Sequence, residues 1–361
     1  MNIEVENLVL KYGDSTAIDN LNLTVEDGEA VVLLGQSGCG KTSTMRCIAG
    51  LEEPASGSVR IAGDYVFDSA KGIDKPPHQR NIGMVFQSYA IWPHLTVFEN
   101  VAFPLTMKRT PKSEMRQRVT ETLKLVGLDH LAERGASMLS GGQMQRVALA
   151  RSLVMQPSVL LLDEPLSNLD ARLRDRLRIE LRELQLELGL TSIYVTHDQD
   201  EALALADRIA LMQHGRIVQI GTPTDIYGSP LSASIADFLG VSNIIPVTEV
   251  DSSTIKLSGS DIALKVGPYS TSGSDLKACI RGEDLELAAP EAAGMNSVPG
   301  IITVQSFQGP TVQFHVKTNE GLTFNVLAPK AAAMQFKLHD EVTVRIPSAG
   351  VQVLPTEVAA A

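Results

Sequence analysis

The spacing of apolar and polar residues changes character along the chain. The runs AVVLLG (30–35), SVLLL (158–162) and TSIYVTH (191–197) are almost continuously apolar over the length of a strand and are flanked by Gly, Pro or Asp. Such runs predict strands buried on both faces, hence a parallel sheet covered by helices. Between two of them, ARLRDRLRIELRELQLELGL places Leu173, Leu177, Leu181, Leu184 and Leu188 on one face with charges elsewhere. This predicts an amphipathic helix packed on the sheet and ended by Gly189, and it is too short for a coiled coil. Residues 88–138 read as a helical insert. Within it, TPKSEMRQRVTETLKLVGLDHL predicts a helix with Thr110 as N-cap and Pro111 at its first position, running to about Gly127. Beyond about residue 240 the pattern becomes short alternating runs: TIKLSG, IITVQSFQG, VQFHVKT, LTFNVLAP and EVTVRIP. These predict a small β-barrel or sandwich, with SGSDIALKVGPYSTSGSD and AAPEAAGMNSVPG as loops and TEVAAA as a frayed end.

Bulk properties narrow the class. The chain has 361 residues, 44% hydrophobic and 20% charged, as expected of a folded chain of two or three domains. A formal net charge of −11 disfavours nucleic acid as a partner, because phosphate backbones are held by Lys and Arg. Cys39, Cys47 and Cys279 form neither a metal-like spacing nor a disulfide framework, which fits a reducing cytoplasmic setting. MNIEVENLVLKYG lacks the basic and apolar regions of a signal peptide, and no run reaches the ~18 apolar residues that span a bilayer. Membrane association would then come through a partner.

The chemistry concentrates in three motifs. GQSGCGKT (Gly35, Ser37, Gly38, Cys39, Gly40, Lys41, Thr42), followed by Ser43, matches the phosphate-binding P-loop and sits between a strand and a helix, as that motif requires. Its glycines let backbone N–H groups curl around a phosphate at a helix N-terminus. Lys41 neutralises terminal phosphate oxygens, and the Thr42 hydroxyl suits Mg²⁺. SVLLLDEP ends a buried strand in two carboxylates, with Asp163 placed to hold Mg²⁺ through water and Glu164 to polarise an attacking water. LSGGQMQRVALARSLV sets Ser140, Gly141, Gly142 and Gln143 before a helical pattern, a second anion-binding helix N-terminus in the same chain.

Together these motifs resemble the ATP-binding subunits of ABC transporters, and the likeness runs through the first 235 or so residues in the family's order. The resemblance implies an α/β P-loop NTPase domain over 1–235, with a helical subdomain at about 88–138. A small all-β, barrel-like domain of the OB or TOBE type follows over 236–361. It implies that Tyr12 stacks on adenine, that Gln87 touches Mg²⁺ and senses a membrane subunit, and that Ser140–Gln143 is the signature loop. Asp170 in SNLD then belongs to a loop that crosses a dimer interface, and His197 contacts the γ-phosphate. The implied catalytic set is Glu164, His197 and Lys41, with ATP and Mg²⁺ bound and Thr42, Gln87 and Asp163 around the metal. The resemblance also explains the two phosphate loops: the P-loop of one copy and the signature loop of another close on one ATP in a head-to-tail dimer.

SYAIWPHLTVFENVAFPL (88–105), with Trp92 as the sole tryptophan, resembles the family's groove for a permease helix, although it also reads as hydrophobic core under the insert. The C-terminal region resembles the accessory domain of importer ATPases. IRGEDLEL carries Gly282 where that family's segment has proline. The expected protein is a peripheral importer ATPase on the cytoplasmic face of the inner membrane, served indirectly by a solute-binding protein. Its branch resembles iron, polyamine and phosphonate importers, with a sugar importer or a soluble non-transport ABC ATPase as alternatives.

Overall fold

The computed structural model describes residues 2–269, 275–290 and 294–358. These fall into two compact units, Met1–Gly228 and Ser229–Ala361. The helix Ala233–Phe238 belongs to the second unit, where Ala233 and Ala236 pack against Val241 and Cys279.

In the first unit the three apolar runs form strands Ala30–Gly35, Val159–Asp163 and Ser192–Thr196, buried along their whole lengths. They occupy the middle of a six-stranded sheet. Its order is Arg216–Gly221, Arg208–Gln213, Ala30–Gly35, Ser192–Thr196, Val159–Asp163, Ile82–Val85. All neighbours are parallel except the first pair, and the register sets Val32 opposite Tyr194 and Leu161 opposite Ile193. A second sheet, antiparallel and five-stranded, was not expected from the sequence. It runs Ser15–Val25, Ile3–Tyr12, Ser56–Ile61, Asp64–Asp68, Ile73–Asp74. Its Ile3, Leu8, Ile18 and Val59 share one core with Val31, Leu33, Met45 and Ile193. That core anchors the strand feeding the P-loop and the helix leaving it.

That helix, Lys41–Ala49, ends at Gly50 in the left-handed conformation (φ 76°). Fully buried Arg80 completes the end, donating to the carbonyls of Cys47 (2.8 Å), Ile48 (3.0 Å) and Lys75 (2.6 Å) and pairing with Asp74 at 2.8 Å. The insert carries helices Val97–Met107 and Lys112–Leu125 and leads into Gly141–Leu153. The middle helix starts one residue later than expected, with Pro111 before it rather than in it, and stops at Leu125. Thr110 does not cap it. The Thr110 N–H instead bonds to Leu105 O (3.0 Å), closing the preceding helix. The amphipathic helix Ala171–Leu188 ends at Gly189 (φ 58°), with Leu177 buried but Leu188 exposed in its last turn.

The second unit holds two five-stranded antiparallel sheets that share one core of Ile255, Leu257, Ala278, Phe314, Phe324 and Val344. Strands Ala263–Lys265 and Ser297–Phe307 reach into both segments expected to be loops; their residues 270–274 and 291–293 lie outside the described residues. The expected fraying does not begin at Thr356. Its N–H bonds to Asp275 O (3.2 Å), and Glu357 accepts from the Ser234 hydroxyl (2.7 Å). Residues 359–361 of that stretch lie outside the described residues. All three cysteines are free and buried.

Candidate active site

Strand Ala30–Gly35 delivers the chain into a tight loop whose shape depends on missing side chains. A Cβ on Gly35 would lie 2.3 Å from Met212 O, and one on Gly40 2.6 Å from Ala17 O. Gly38 and Gly40 also hold positive φ (81° and 104°), which favours glycine. Ser37 and Gly38 face outward, while Cys39 is buried. Lys41 is only 5% exposed, and its ammonium donates to Gly35 O (2.8 Å) and Gln36 O (2.9 Å). A positive group is therefore folded back inside the loop at the N-terminus of its helix. Thr42 Oγ1 donates to Asp163 Oδ1 at 3.1 Å. Tyr12 ends the strand Ile3–Tyr12, half exposed, with its hydroxyl beside Ser43 and Glu52; partial burial and the Glu52 carboxylate raise its pKa.

Asp163 closes the buried strand, and burial raises its carboxyl above the ordinary range despite the Thr42 hydrogen bond. At Glu164 the chain turns through positive φ (43°), held by its N–H to Val195 O (3.0 Å). This turn aims the two carboxylates apart. Glu164 Oε2 accepts from Gln87 Nε2 (3.0 Å), and Oε1 lies 3.2 Å from His197 Nδ1. The structure thus brings Lys41, Thr42, Asp163, Glu164, Gln87 and His197 into one connected cluster. Two further residues belong to it. Ser167 donates to Glu164 O (2.9 Å), and Asn168 Nδ2 to Gln87 O (2.7 Å). Asp170 was the only residue of their loop that the sequence pointed to; a hydroxyl and an amide three and four residues beyond Glu164 were the available signal.

Ser140–Gln143 stand apart from this cluster. The Ser140 N–H donates to Gln143 Oε1 (2.9 Å) ahead of the helix Gly141–Leu153. The glycines permit close packing: a Cβ on Gly141 would lie 3.1 Å from Leu169, and one on Gly142 3.2 Å from Leu173 and Leu177. Asp170 accepts from Leu173 N–H (3.0 Å), capping the helix Ala171–Leu188. Among the described residues no hydrogen bond joins 140–143 to 35–43.

The 88–105 segment divides. Val97, Val101 and Leu105 are buried, whereas Phe103 and, beyond the segment, Met107 are exposed. Trp92 packs on Phe103 (centroids 4.3 Å apart) under the Arg151 guanidinium (4.8 Å). Arg151 also donates to Tyr89 O and Ala90 O, both at 2.7 Å, where both residues hold positive φ. Core packing and an exposed apolar edge therefore coexist in one segment.

The loop fits a phosphate chain. Packing on the Met212 and Ala17 carbonyls leaves no room for a Cβ at Gly35 or Gly40, so the loop stays tight around the helix N-terminus, where its buried ammonium lies. Thr42, Asp163 and Gln87 together offer a hydroxyl, a carboxylate and an amide, the hard oxygen donors that suit Mg²⁺. Among the described residues no helix is long and apolar enough to cross a membrane.

Comparison with known proteins agrees with this geometry. The ABC transporter family model matches residues 18–167, and the TOBE domain model matches 278–354. The chain is 43% identical over 356 residues to the Fe(3+) ions import ATP-binding protein FbpC of Brucella melitensis, covering 98% of this chain and 97% of that one. It is 53% identical over 229 residues to the trehalose/maltose import ATP-binding protein MalK of Thermococcus litoralis, covering 63% and 62%. Among solved structures, the dimeric post-hydrolysis ATP-binding cassette MJ0796 bound to ADP and Pi matches with TM-score 0.53 and 33% identity, covering 61% of this chain and 98% of that one. With a P-loop cluster, a separate signature loop and this near full-length likeness, the chain belongs to the ABC transporter ATP-binding subunits with a C-terminal TOBE domain, ATPases coupled to import.

Proposed function

We propose that the chain hydrolyses ATP with Glu164 and His197 as the hydrolytic pair, and that it powers import of ferric iron through permease subunits. The observation that carries the catalytic part is the Glu164 carboxylate, fixed between Gln87 (3.0 Å) and His197 (3.2 Å) one residue beyond the Thr42–Asp163 pair. Lys41 and the P-loop N–H groups hold the phosphate chain of ATP, and Tyr12 offers its exposed ring to the base. Glu164 orients and polarises the attacking water while His197 contacts the γ-phosphate, so catalysis is mainly positioning and charge stabilisation. Thr42, Gln87 and Asp163 would hold Mg²⁺, which would supply neutralisation of phosphate charge.

Two copies in head-to-tail arrangement complete each site, with Ser140–Gln143 of one closing on the ATP held by the other. Permease subunits dock along the exposed side of 88–105, which places the chain at the cytoplasmic face of the membrane as a peripheral subunit. A solute-binding protein delivers the cargo. Ferric iron is favoured over sugar because the iron-importer likeness extends through both units, whereas the sugar-importer match covers 63% of the chain.

Glu164→Gln tests the catalytic reading. It should bind ATP normally, hydrolyse it at least ~100-fold more slowly and accumulate as an ATP-bound dimer. Normal turnover would remove Glu164 from the mechanism. For the cargo, ATPase activity of the permease complex in liposomes should rise with ferric-loaded binding protein. Stimulation by a maltose-loaded one instead would reassign it.

A further inference from the structure

Arg174 lies in the first turn of the helix Ala171–Leu188, one turn beyond the Ser167–Asp170 loop. Its Nη2 donates back to Leu169 O (3.2 Å). Its Nη1 donates to Asp198 Oδ2 (3.3 Å), and its Nε lies 3.9 Å from Glu201 Oε1. A single guanidinium therefore joins the loop before Asp170 to the segment that carries His197.

Both carboxylates follow His197 in the chain and hold the backbone beside it. Glu201 is buried, and its Oε2 accepts from Thr196 Oγ1 (2.7 Å) and from the Tyr194 hydroxyl (3.0 Å). Asp198 N–H donates to Thr196 Oγ1 (3.0 Å), and Asp198 Oδ1 accepts from Glu201 N–H (3.1 Å). The residues on either side of His197 are thus locked into one network, and Arg174 is the cation that faces it. A buried carboxylate deprived of its cation must be resolvated or reorient, which would loosen that frame. The planar guanidinium presents donors in several fixed directions, so it donates to the Leu169 carbonyl and the Asp198 carboxylate together while its charge lies beside Glu201, as an ammonium would not. The same loop also meets the signature helix, because a Cβ on Gly141 would lie 3.1 Å from Leu169.

We propose that Arg174 is a positioning residue that ties the setting of His197 to the position of the Ser167–Asp170 loop. Engagement of that loop by a second copy and orientation of His197 toward Glu164 then occur together. The proposal rests on the reading of Glu164 and His197 as the hydrolytic pair.

A double-mutant cycle in the full-length protein tests it, reading kcat and KM for ATP in Arg174→Ala, His197→Ala and the double variant. R174A should lower kcat on the order of 10- to 100-fold, as a misplaced catalytic group does, with KM changed less than ~3-fold. In the H197A background the same change should cost less than ~2-fold, because the effect runs through His197. R174K should recover part of the loss. Losses that multiply, or an R174A enzyme with wild-type kcat, overturn the relay while leaving the hydrolytic pair standing. Normal turnover in H197A would sink both. If R174A does not fold, R174K carries the same cycle, since it keeps a cation beside Glu201 but loses the fork to Leu169 O.

Discussion

Asp163 illustrates a residue kept at a cost to the fold. It is 7% exposed, and burial raises its carboxyl above the ordinary 3.8, with Thr42, Arg46 and Lys41 only partly opposing that rise. The sign follows from proton linkage. Between 3.8 and the raised value the native state binds more protons than the unfolded chain, so stability falls as pH rises through that window. Above it the ionised carboxylate remains a standing penalty. Glu164 beside it adds backbone strain, since φ 43° on a non-glycine residue costs about 1–3 kcal/mol. Both penalties make sense at the proposed hydrolytic site. Asp163→Asn should therefore raise the melting temperature of the nucleotide-free protein at pH 7, by about 2–4 °C for each ~1 kcal/mol relieved, while cutting ATP hydrolysis at least ~100-fold. The difference in melting temperature should shrink as pH falls through the raised value and past 3.8, below which the wild-type group is protonated in both states. A lower melting temperature for D163N at pH 7 would contradict the burial argument.

Elements differ in how openly the sequence declares them. The P-loop strand and helix are legible because the motif is the geometry: glycines where Met212 O and Ala17 O leave no room, then Lys41 and Thr42. The helix Ala171–Leu188 is legible from its leucine spacing and Gly189. The N-terminal antiparallel sheet is not, because its alternation is broken from within. Ile3 and Val5 are buried, then Leu8 and Leu10, and the register slips between Val5 and Leu8, where Asn7 takes positive φ (49°). An irregularity of this kind shifts the apolar set by one residue and hides the period of two. Arg80 and Arg174 were invisible for another reason. Each reads as a surface charge, yet one caps a helix more than thirty positions upstream and the other bridges two loops. Such roles are tertiary, and no local spacing encodes them. The TOBE-type unit was legible as an alternating β-region, but not strand by strand, since Ala263–Lys265 and the start of Ser297–Phe307 sit among Gly, Ser, Asn and Pro.

At the scale of the molecule, one chain carries two glycine-bearing loops at helix N-termini, and among the described residues no hydrogen bond joins them. The P-loop is wired to Asp163, and through Glu164 the neighbouring acidic pair reaches Gln87 and His197. The signature glycines are packed instead against Leu169, Leu173 and Leu177. An arrangement of half-sites predicts complementation between damaged copies, which a self-sufficient site does not. Ser140→Arg places a bulky cation in the signature loop and leaves the P-loop untouched, so it should bind ATP nearly normally but neither dimerise with ATP nor hydrolyse it. Lys41→Ala removes the buried ammonium and should fail at the P-loop instead. In a dimer of one S140R chain and one K41A chain, one site has both halves intact and the other has neither. Mixing the two inactive proteins should therefore restore ATP-dependent association, measured by size-exclusion chromatography with both chains in the Glu164→Gln background. Dimers that form from S140R alone, or a mixture no better than its parts, would mean that each chain completes its own site.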